Sequence, residues 1–473
     1  MFSDFDHINE IATEGFRDKM ATVDEHGKRK WVYAQKPKGK FYNIKTFLSI
    51  FYFTVFFGLP FINIDGRPLF LFNVPKAHFI IFGKIFWPQD FFIFGLTMVT
   101  FVFFIILFTA AFGRLFCGWA CPQTNFMELM FRKVEYMILG DAAAQRKLKN
   151  DPWNTNKIIK VCFKHFVFFM MAFVISNFFL AYIIGVKELE KIITEPLSQH
   201  VGGLTSIIVF SYVFYAVYAY FREQVCIVIC PYGRLQSVLM DKNSMIVAYD
   251  YKRGEPRGHV KKGEDESKLG DCIDCFQCVR VCPTGIDIRN GVQMECVGCT
   301  ACIDACNGIM DKIGRPRGLV RYASENSIAN GETLKYTKRM KLYTALCFVA
   351  LCFLSILLIT RKDIDATVMR APGMLFQEKG TDSVQNLYNV KVINKTTREI
   401  PMTVKLEDND GSIMLIGKPY VKVENEGQGW GEFFITLAKK NIHKRSTIIK
   451  LGIYNGNQKI SVVTTKFLAP VSE

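Results

Sequence analysis

Eight cysteines fall in two runs of identical spacing. Cys272, Cys275, Cys278 and Cys282 are arranged C-x2-C-x2-C-x3-C, and Cys296, Cys299, Cys302 and Cys306 repeat the arrangement. This is the spacing that holds paired [4Fe-4S] clusters, the fourth cysteine of each run ligating the other cluster. Two intervening residues let a tight loop wrap three corners of a cube, and a ligand from further away supplies the fourth. The expected ligands are Cys272, Cys275, Cys278 and Cys306 for a first cluster, and Cys296, Cys299, Cys302 and Cys282 for a second. Pro283 follows the first run, whereas Asn307 follows the second. C-x2-C pairs also bind structural zinc. The doubled four-cysteine pattern speaks instead for iron-sulfur clusters and the movement of single electrons.

A second cysteine motif occurs twice. FCGWACPQTNFMELM and VCIVICPYGRLQSVL align Cys117 with Cys226, Cys121 with Cys230 and Pro122 with Pro231. Each copy ends an apolar stretch, so the repeat implies two helix pairs, each closed by C-x3-C-P, with pseudo-twofold character. Cysteines four apart share a helix face, and proline suits the first turn of a new helix. Thiols at helix N-termini have lowered pKa and are soft-metal ligands. If the halves pack together, up to four thiolates converge near the inner membrane surface as a candidate soft-metal site. The bland alternative is small buried residues at tight turns; the repetition favours function. Cys162 and His165, three apart near the inner end of the third span, are equally balanced between ligands and interfacial residues. Cys347 and Cys352 read as packing residues.

These side chains need a membrane to position them. Half of the 473 residues are hydrophobic, 43 of them Phe. Five stretches, near 43–62, 91–113, 161–185, 203–221 and 342–360, approach the 20 or so residues a helix needs to cross a bilayer. The net charge of +16 sits beside these stretches and reads as membrane topology, with no nucleic-acid partner. Basic residues precede the first span (Lys28, Arg29, Lys30, Lys36, Lys38, Lys40), follow the second (Arg114, Arg132, Lys133, Arg146, Lys147, Lys149) and precede the fifth (Lys335, Lys338, Arg339, Lys341), with Arg361 and Lys362 a mild exception. The expected topology has the N-terminus and the cluster segment inside, on the reducing side that thiol ligands require, and the C-terminus outside. The acidic start, with Asp4, Asp6 and Glu10, lacks the pattern of a signal peptide.

The expected organisation is an inner segment 1–40, a four-span core 41–240, a two-cluster ferredoxin domain with linkers 241–340, a fifth span 341–362 and an outer domain 363–473. Within the core, 65–90 reads as a short outer hairpin interrupted by Pro68, Pro75, Lys76, His78 and Lys84. The stretches 240–270 and 312–334 read as solvated linkers. From about residue 366, NLYNVKVINK, IPMTVKLED, YVKVENE, EFFITLA, TIIKLGIYNG and ISVVTTKFLA alternate between turn residues. That is an all-β, immunoglobulin-like sandwich without a disulfide. The sequon at Asn394 and Thr396 is a chance match in this setting.

The pieces in this order resemble the cytochrome c oxidase accessory proteins of the CcoG family, also called FixG or RdxA. The resemblance spans nearly the whole chain. It rests on WPQD (Trp87 to Asp90), GRLFCGWACPQT (Gly113 to Thr124), CIVICPYGRLQ, the two ferredoxin runs and the terminal β domain. It implies a bacterial inner-membrane protein acting in assembly of cbb3-type oxidase, with two [4Fe-4S] clusters, reducing Cu(II) to Cu(I) for the oxidase copper site. Its partners would be a cytoplasmic electron donor and an assembly factor or copper chaperone at the β domain; a homo-oligomer stays open. Two other readings remain: a quinol-linked relay similar to the membrane polyferredoxins of nitrate and nitrous oxide respiration, and a copper-delivery or redox-sensing scaffold without turnover.

Overall fold

The computed structural model describes residues 21–470 except 25, 65, 75–77, 88–89, 197, 259–268, 333–335, 362–363, 374, 381, 397, 408–410, 418–419, 425–426 and 443. Residues 1–20, Pro75, Lys76, Pro88, Gln89, Lys335, Lys362 and most of the charged run in 259–268 therefore lie outside the described residues. The chain forms two compact units, Met1–Ile62 with Phe94–Leu354, and Asn63–Ile93 with Ser355–Glu473.

Five helices have the length and composition to cross a membrane: Lys40–Phe61, Phe91–Phe112, Thr155–Ile184, Val201–Phe221 and Lys338–Thr360. They match the five expected spans, several starting a few residues earlier because basic residues at their ends continue the helix. The second and fifth are the most apolar, with mean hydropathy 2.7 and 2.6. Phe92, Phe101, Phe348 and Ile359 stand exposed on them, as side chains facing lipid should. The third span starts at Asn154, whose side chain caps Lys157 N at 2.8 Å. Within the first unit, Phe131 stacks on Tyr218 with ring centroids 4.4 Å apart and meets Phe168 edge-on at 5.1 Å. These rings form the centre of the helical core.

The first span is capped by another part of the unit. Asp304, between two cluster cysteines, accepts from the backbone N–H groups of Phe41 at 3.1 Å and Tyr42 at 2.8 Å. A carboxylate at a helix N-terminus satisfies orphan donors and opposes the helix dipole. Gly39 precedes the helix with φ +155°, and a Cβ there would overlap the Asp304 carboxylate. The ferredoxin segment and the first span are thereby fastened together.

Parts of the expected linkers are strands packed into the core. The unit-two strands β1 (Asn63–Ile64), β2 (Arg67–Pro68), β3 (Phe70–Asn73), β4 (His78–Ile81) and β5 (Lys84–Phe86) come first in the sequence. The next two, β6 (Ile246–Tyr249) and β7 (Val320–Ala323), pair antiparallel across the two presumed linkers. Val247, Tyr249, Leu319 and Val320 are buried with Ile286, Ile303 and Met310 in the core around the cluster cysteines. The turn-rich composition around these short apolar runs conceals their partnership, because the two strands are some 70 residues apart and neither signals its partner locally.

In the second unit the segment 63–90 is more than a hairpin. β1 pairs with β2, and β3, β4 and β5 form a meander closed around Leu71, Ile80 and Ile85. Asp90 lies at its end. Its carboxylate receives Lys395 Nζ at 2.8 Å and Arg361 Nη2 at 2.7 Å, and Lys395 also reaches Asp365 at 2.5 Å. Asp90 and Lys395 are buried. Such a pair fixes geometry more surely than it adds net stability.

The remaining strands form the sandwich: β8 (Ile364–Arg370), β9 (Gln377–Lys379), β10 (Ser383–Asn394), β11 (Ile400–Leu406), β12 (Gly411–Leu415), β13 (Val421–Val423), β14 (Gln428–Ala438), β15 (Ser446–Asn455) and β16 (Gln458–Leu468). One sheet runs β12-β14-β10-β8 with β9 on β10, the other β13-β11-β15-β16. Alternate residues such as Val384, Tyr388, Val390, Phe433, Ile435, Ile449 and Leu451 fill the space between them. The sequence pattern identifies six of these nine strands. β8, β9 and β12 carry too little alternation to stand out. Asn394 is buried, donating to Arg398 O at 2.6 Å and Glu424 O at 3.1 Å, so its amide shapes a turn and is not presented as a glycan acceptor.

Candidate iron-sulfur and thiol sites

The two ferredoxin runs fold alike. Asp274 and Phe276 in the first run have positive φ, and Gly298 and Thr300 do so at the matching positions of the second. Left-handed residues at these points curl each C-x2-C loop around a hollow. A cavity of about 380 Å³, measured out to open solvent, is lined by Cys272, Cys275, Cys278 and Cys306. A second, of about 340 Å³, is lined by Cys282, Cys296, Cys299 and Cys302, with Cys278 on its wall as well. The fourth cysteine of each run thus faces the other run's cavity.

The thiols are crowded and dry. Burial pushes Cys299 and Cys306 up to about 12 and Cys296 up to about 11, and neighbouring cysteines push the same way. Burial likewise raises Cys278, with Asp287 adding to it and Arg289 opposing it. A bundle of neutral buried thiols gains when iron replaces its protons. Among the described residues no three His, Cys, Asp or Glu side chains draw close enough for a single metal ion. Four thiolates around a cubane stand further apart than around one ion, so this donor set fits [4Fe-4S] clusters.

The repeated C-x3-C-P motifs form matching turns. Cys117 lies in the short helix Leu115–Trp119, and Cys121 precedes the helix that begins at Pro122. Cys226 lies in a π-helical turn, Val225–Ile229, and Cys230 precedes the helix Pro231–Leu239. Cys121 and Cys230 are both extended, with ψ 123° and 111°, because a following proline excludes the helical region. The cysteines of each pair therefore straddle a break and do not share one continuous helix face.

The halves exchange partners. Cys117 Sγ donates to Gln236 Oε1 at 3.0 Å, and Cys226 Sγ lies 4.0 Å from Thr124 Oγ1. Burial pushes Cys117 up to about 12, with Cys121 and Cys230 adding to it and Arg114 opposing it. Cys226 is likewise pushed up to about 12, by burial first and then by Cys121, Cys117 and Cys230. Cys117 and Cys226 are therefore each within electrostatic reach of the other three thiols.

The first motif abuts the second cluster cavity. A Cβ on Gly118 would fall inside the backbone of Gly298, within the Cys296–Cys299 loop. Arg114 is buried; it donates to Met294 O, to Cys296 O at 3.3 Å, to Gly233 O and to Ser237 Oγ at 2.5 Å. One guanidinium thus ties together both C-x3-C-P halves and the cluster loop. Trp119 Nε1 donates to Tyr322 Oη at 2.9 Å, joining the same turn to β7.

Other sequence candidates fare differently. His165 Nδ1 is 2.8 Å from Tyr215 Oη and its ring stacks on Tyr220, while Cys162 is exposed. The structure gives this pair no shared site. Cys347 is buried and Cys352 exposed. Sequence reasoning misses Arg114, Gly118, Asp304 and Lys45 as site residues. Arg114 and Gly118 lie within the repeated motif but break its symmetry, which is the signal that could have singled them out.

Cluster-binding loops, paired thiol turns and five membrane-spanning helices define a membrane iron-sulfur electron-transfer protein. Three family models match: a 4Fe-4S binding domain over residues 94–148, a 4Fe-4S dicluster domain over 221–325 and the "IG-like fold at C-terminal of FixG" over 354–470. The chain is 32% identical over 394 residues to protein RdxA of Cereibacter sphaeroides, covering 80% of this chain and 83% of RdxA. Protein RdxB of the same organism is 32% identical over 84% of this chain and 88% of its own. Nitrogen fixation protein FixG of Rhizobium meliloti is 36% identical over 64% of this chain, and the match spans 59% of FixG. The chain belongs to the FixG/RdxA family.

Proposed function

We propose that this protein carries electrons from a cytoplasmic donor to copper captured at the thiol turns of Cys117, Cys121, Cys226 and Cys230, reducing Cu(II) to Cu(I) for the copper site of a cbb3-type oxidase. The observation that carries the reading is the backbone contact between Gly118 and Gly298, which brings the first thiol turn against the loop of Cys296 and Cys299. Two [4Fe-4S] clusters, on the ligand sets lining the two cavities, would supply one-electron storage. Arg114 and Gly118 keep the thiol turn packed on the cluster loop, so the gap an electron crosses stays short. The thiols take up Cu(II), which gains one electron to become Cu(I). Thiolates favour the softer Cu(I), so the same side chains add to the driving force. In this reading the N-terminus and clusters are cytoplasmic, and residues 363–473 are periplasmic, where the sandwich docks an assembling oxidase or a copper chaperone.

The test is single-turnover Cu(II) reduction by anaerobically purified protein, reduced with dithionite and freed of its excess, with Cu(I) trapped by a chromogenic chelator. Turnover supports the reading; its absence leaves the scaffold alternative, and quinol oxidation in the same assay selects the relay. Reporter fusions after residues 150 and 300 should report cytoplasm and one after residue 400 periplasm. An inside report at 400 removes the fifth span from the topology.

A second reading of the thiol tetrad has its own support. The 4Fe-4S binding model covers Cys117 and Cys121, and the four thiols do not close on a single ion. They would then hold a third cluster. Metal analysis separates the two: about eight iron atoms per chain for two clusters, about twelve for three.

A further inference from the structure

The two cluster cavities differ in the charges around them. The cavity of Cys272, Cys275, Cys278 and Cys306 is also lined by Arg289. That guanidinium is forked between Asp287, at 2.5 and 2.8 Å, and Asp274. Its charge is more than matched locally. The nearby Arg253 is likewise paired with Asp271.

The cavity of Cys282, Cys296, Cys299 and Cys302 meets cations from the membrane core. Lys45, one turn into the first span, is 5% exposed and shares a pocket with Cys299 and Ala301. Among the described residues it has no ion pair. Arg132 in the same pocket is offset by Glu128 at 3.4 Å, so Lys45 supplies the excess charge. On the other side, Arg114 donates to Cys296 O and binds no carboxylate among its described partners. Glu295, beside Cys296, opposes them from a partly exposed position.

We propose that Lys45, seconded by Arg114, raises the reduction potential of the cluster held by Cys282, Cys296, Cys299 and Cys302 above that of its partner, so that electrons run from the cluster of Cys272, Cys275, Cys278 and Cys306 toward the membrane thiols. A cluster gains negative charge on reduction. A buried cation beside it stabilises the reduced state, and weak screening in a dry site makes the effect count. Lys45 acts through Cys299 and is a positioning residue. The capping of the first span by Asp304 holds that span, and Lys45 with it, against the cluster loops. The inference rests on the two-cluster part of the proposed function and is independent of whether copper is the acceptor.

The experiment is an EPR-monitored redox titration of full-length, cluster-loaded protein, with Cys275→Ser and Cys299→Ser variants used to assign each signal. The wild-type protein should show the Cys299 cluster at the higher potential. Lys45→Met should lower that potential by about 59 mV, a tenfold change for one electron, leave the other cluster unmoved, and be restored by Lys45→Arg. An equal shift of both clusters, no shift, or a wild-type order with the Cys275 cluster higher overturns the proposal. If Lys45→Met fails to retain its clusters, the wild-type order alone decides. Protein without iron would instead defeat the cluster assignment itself.

Discussion

The two C-x3-C-P turns share a sequence motif and a local shape, yet they do different work. Both place their second cysteine in extended backbone before a proline-led helix. Three residues before the first cysteine, however, the first copy has Arg114 and the second Glu223. Arg114 reaches the cluster loop, whereas Glu223 pairs with Arg29 at 2.6 Å. One residue after that cysteine, the first copy has Gly118 and the second Ile227. Only the glycine lets backbone meet backbone at Gly298. Duplication supplies four thiols with approximate symmetry, and departures from the symmetry decide which half makes the backbone contact at Gly298; Cys226 of the second half faces the same domain across a pocket shared with Pro283, Thr284 and Val297.

The largest test of that difference is at its contact point. Gly118→Ala puts a methyl group into the backbone of Gly298, which cannot yield as a side-chain tip would. The expected cost exceeds roughly 3 kcal/mol, above the usual range for overpacking. Iron content and the EPR signal of the Cys299 cluster should fall. Ile227→Ala, at the matching position, should cost about 2 kcal/mol as a cavity and leave both signals intact. Equal iron loss in the two variants would sink the idea that the Gly118 backbone contact is what sets the first half apart.

Next come the thiols themselves. Cys121→Ala and Cys230→Ala should keep both clusters, since neither lines a cluster cavity, and each should slow Cu(II) reduction by about tenfold or more. The double variant should cost little beyond either single one, because residues acting as a unit are non-additive. Iron loss in both singles would assign these cysteines to a cluster or to the fold. Full copper binding in both would make them packing residues.

Much of this arrangement is legible from the sequence. The cysteines that line the two cavities, five spans and six of nine sandwich strands follow from spacing, length and alternation, which are local signals. What sequence conceals is partnership at long range. The pairing of Ile246–Tyr249 with Val320–Ala323 depends on the fold that surrounds it. Asp304 reads as an ordinary helix residue until Phe41 and Tyr42 are brought to it. Lys45 reads as a juxtamembrane charge, and only burial beside Cys299 gives it a different meaning.

The acidity of the thiols gives a prediction of intermediate size. Burial, then neighbouring cysteines, pushes Cys117 and Cys226 up to about 12, so both are neutral thiols at pH 7. Copper capture must displace their protons, and apparent Cu(I) affinity should rise about tenfold per pH unit for each proton released. The metal-free fold responds the other way. A raised pKa means the neutral thiol stabilises it below pH of about 9, and that contribution is lost as pH rises toward about 12. Chelator competition at pH 6.5 and 7.5 checks the first part, and thermal unfolding of metal-free protein above pH 9 checks the second. A pH-independent affinity would mean that neither thiol ligates copper.

The smallest effects test the exchange of partners between halves. Gln236 lies on the second half's helix but accepts from Cys117 of the first, at 3.0 Å, while Thr124 on the first half's helix sits 4.0 Å from Cys226 of the second. A net hydrogen bond is worth about 1 kcal/mol, and a contact at the outer limit of sulfur's reach is worth less. The Gln236 amide favours the ionised form of Cys117, and its NH2, without a hydrogen-bond partner among the described residues, is free to turn to the thiolate, so Gln236→Leu should weaken Cu(I) binding by about 2- to 5-fold. Thr124→Val, which keeps the shape and removes the hydroxyl, should change binding by less than about 2-fold. Each variant acts on the cysteine of the opposite half, so combining Gln236→Leu with Cys117→Ala should add nothing, whereas combining it with Thr124→Val, which acts on the other thiol, should add. If the additivity runs the other way, each half supports its own thiol, and the reciprocal contact between the repeats plays no part in holding the metal.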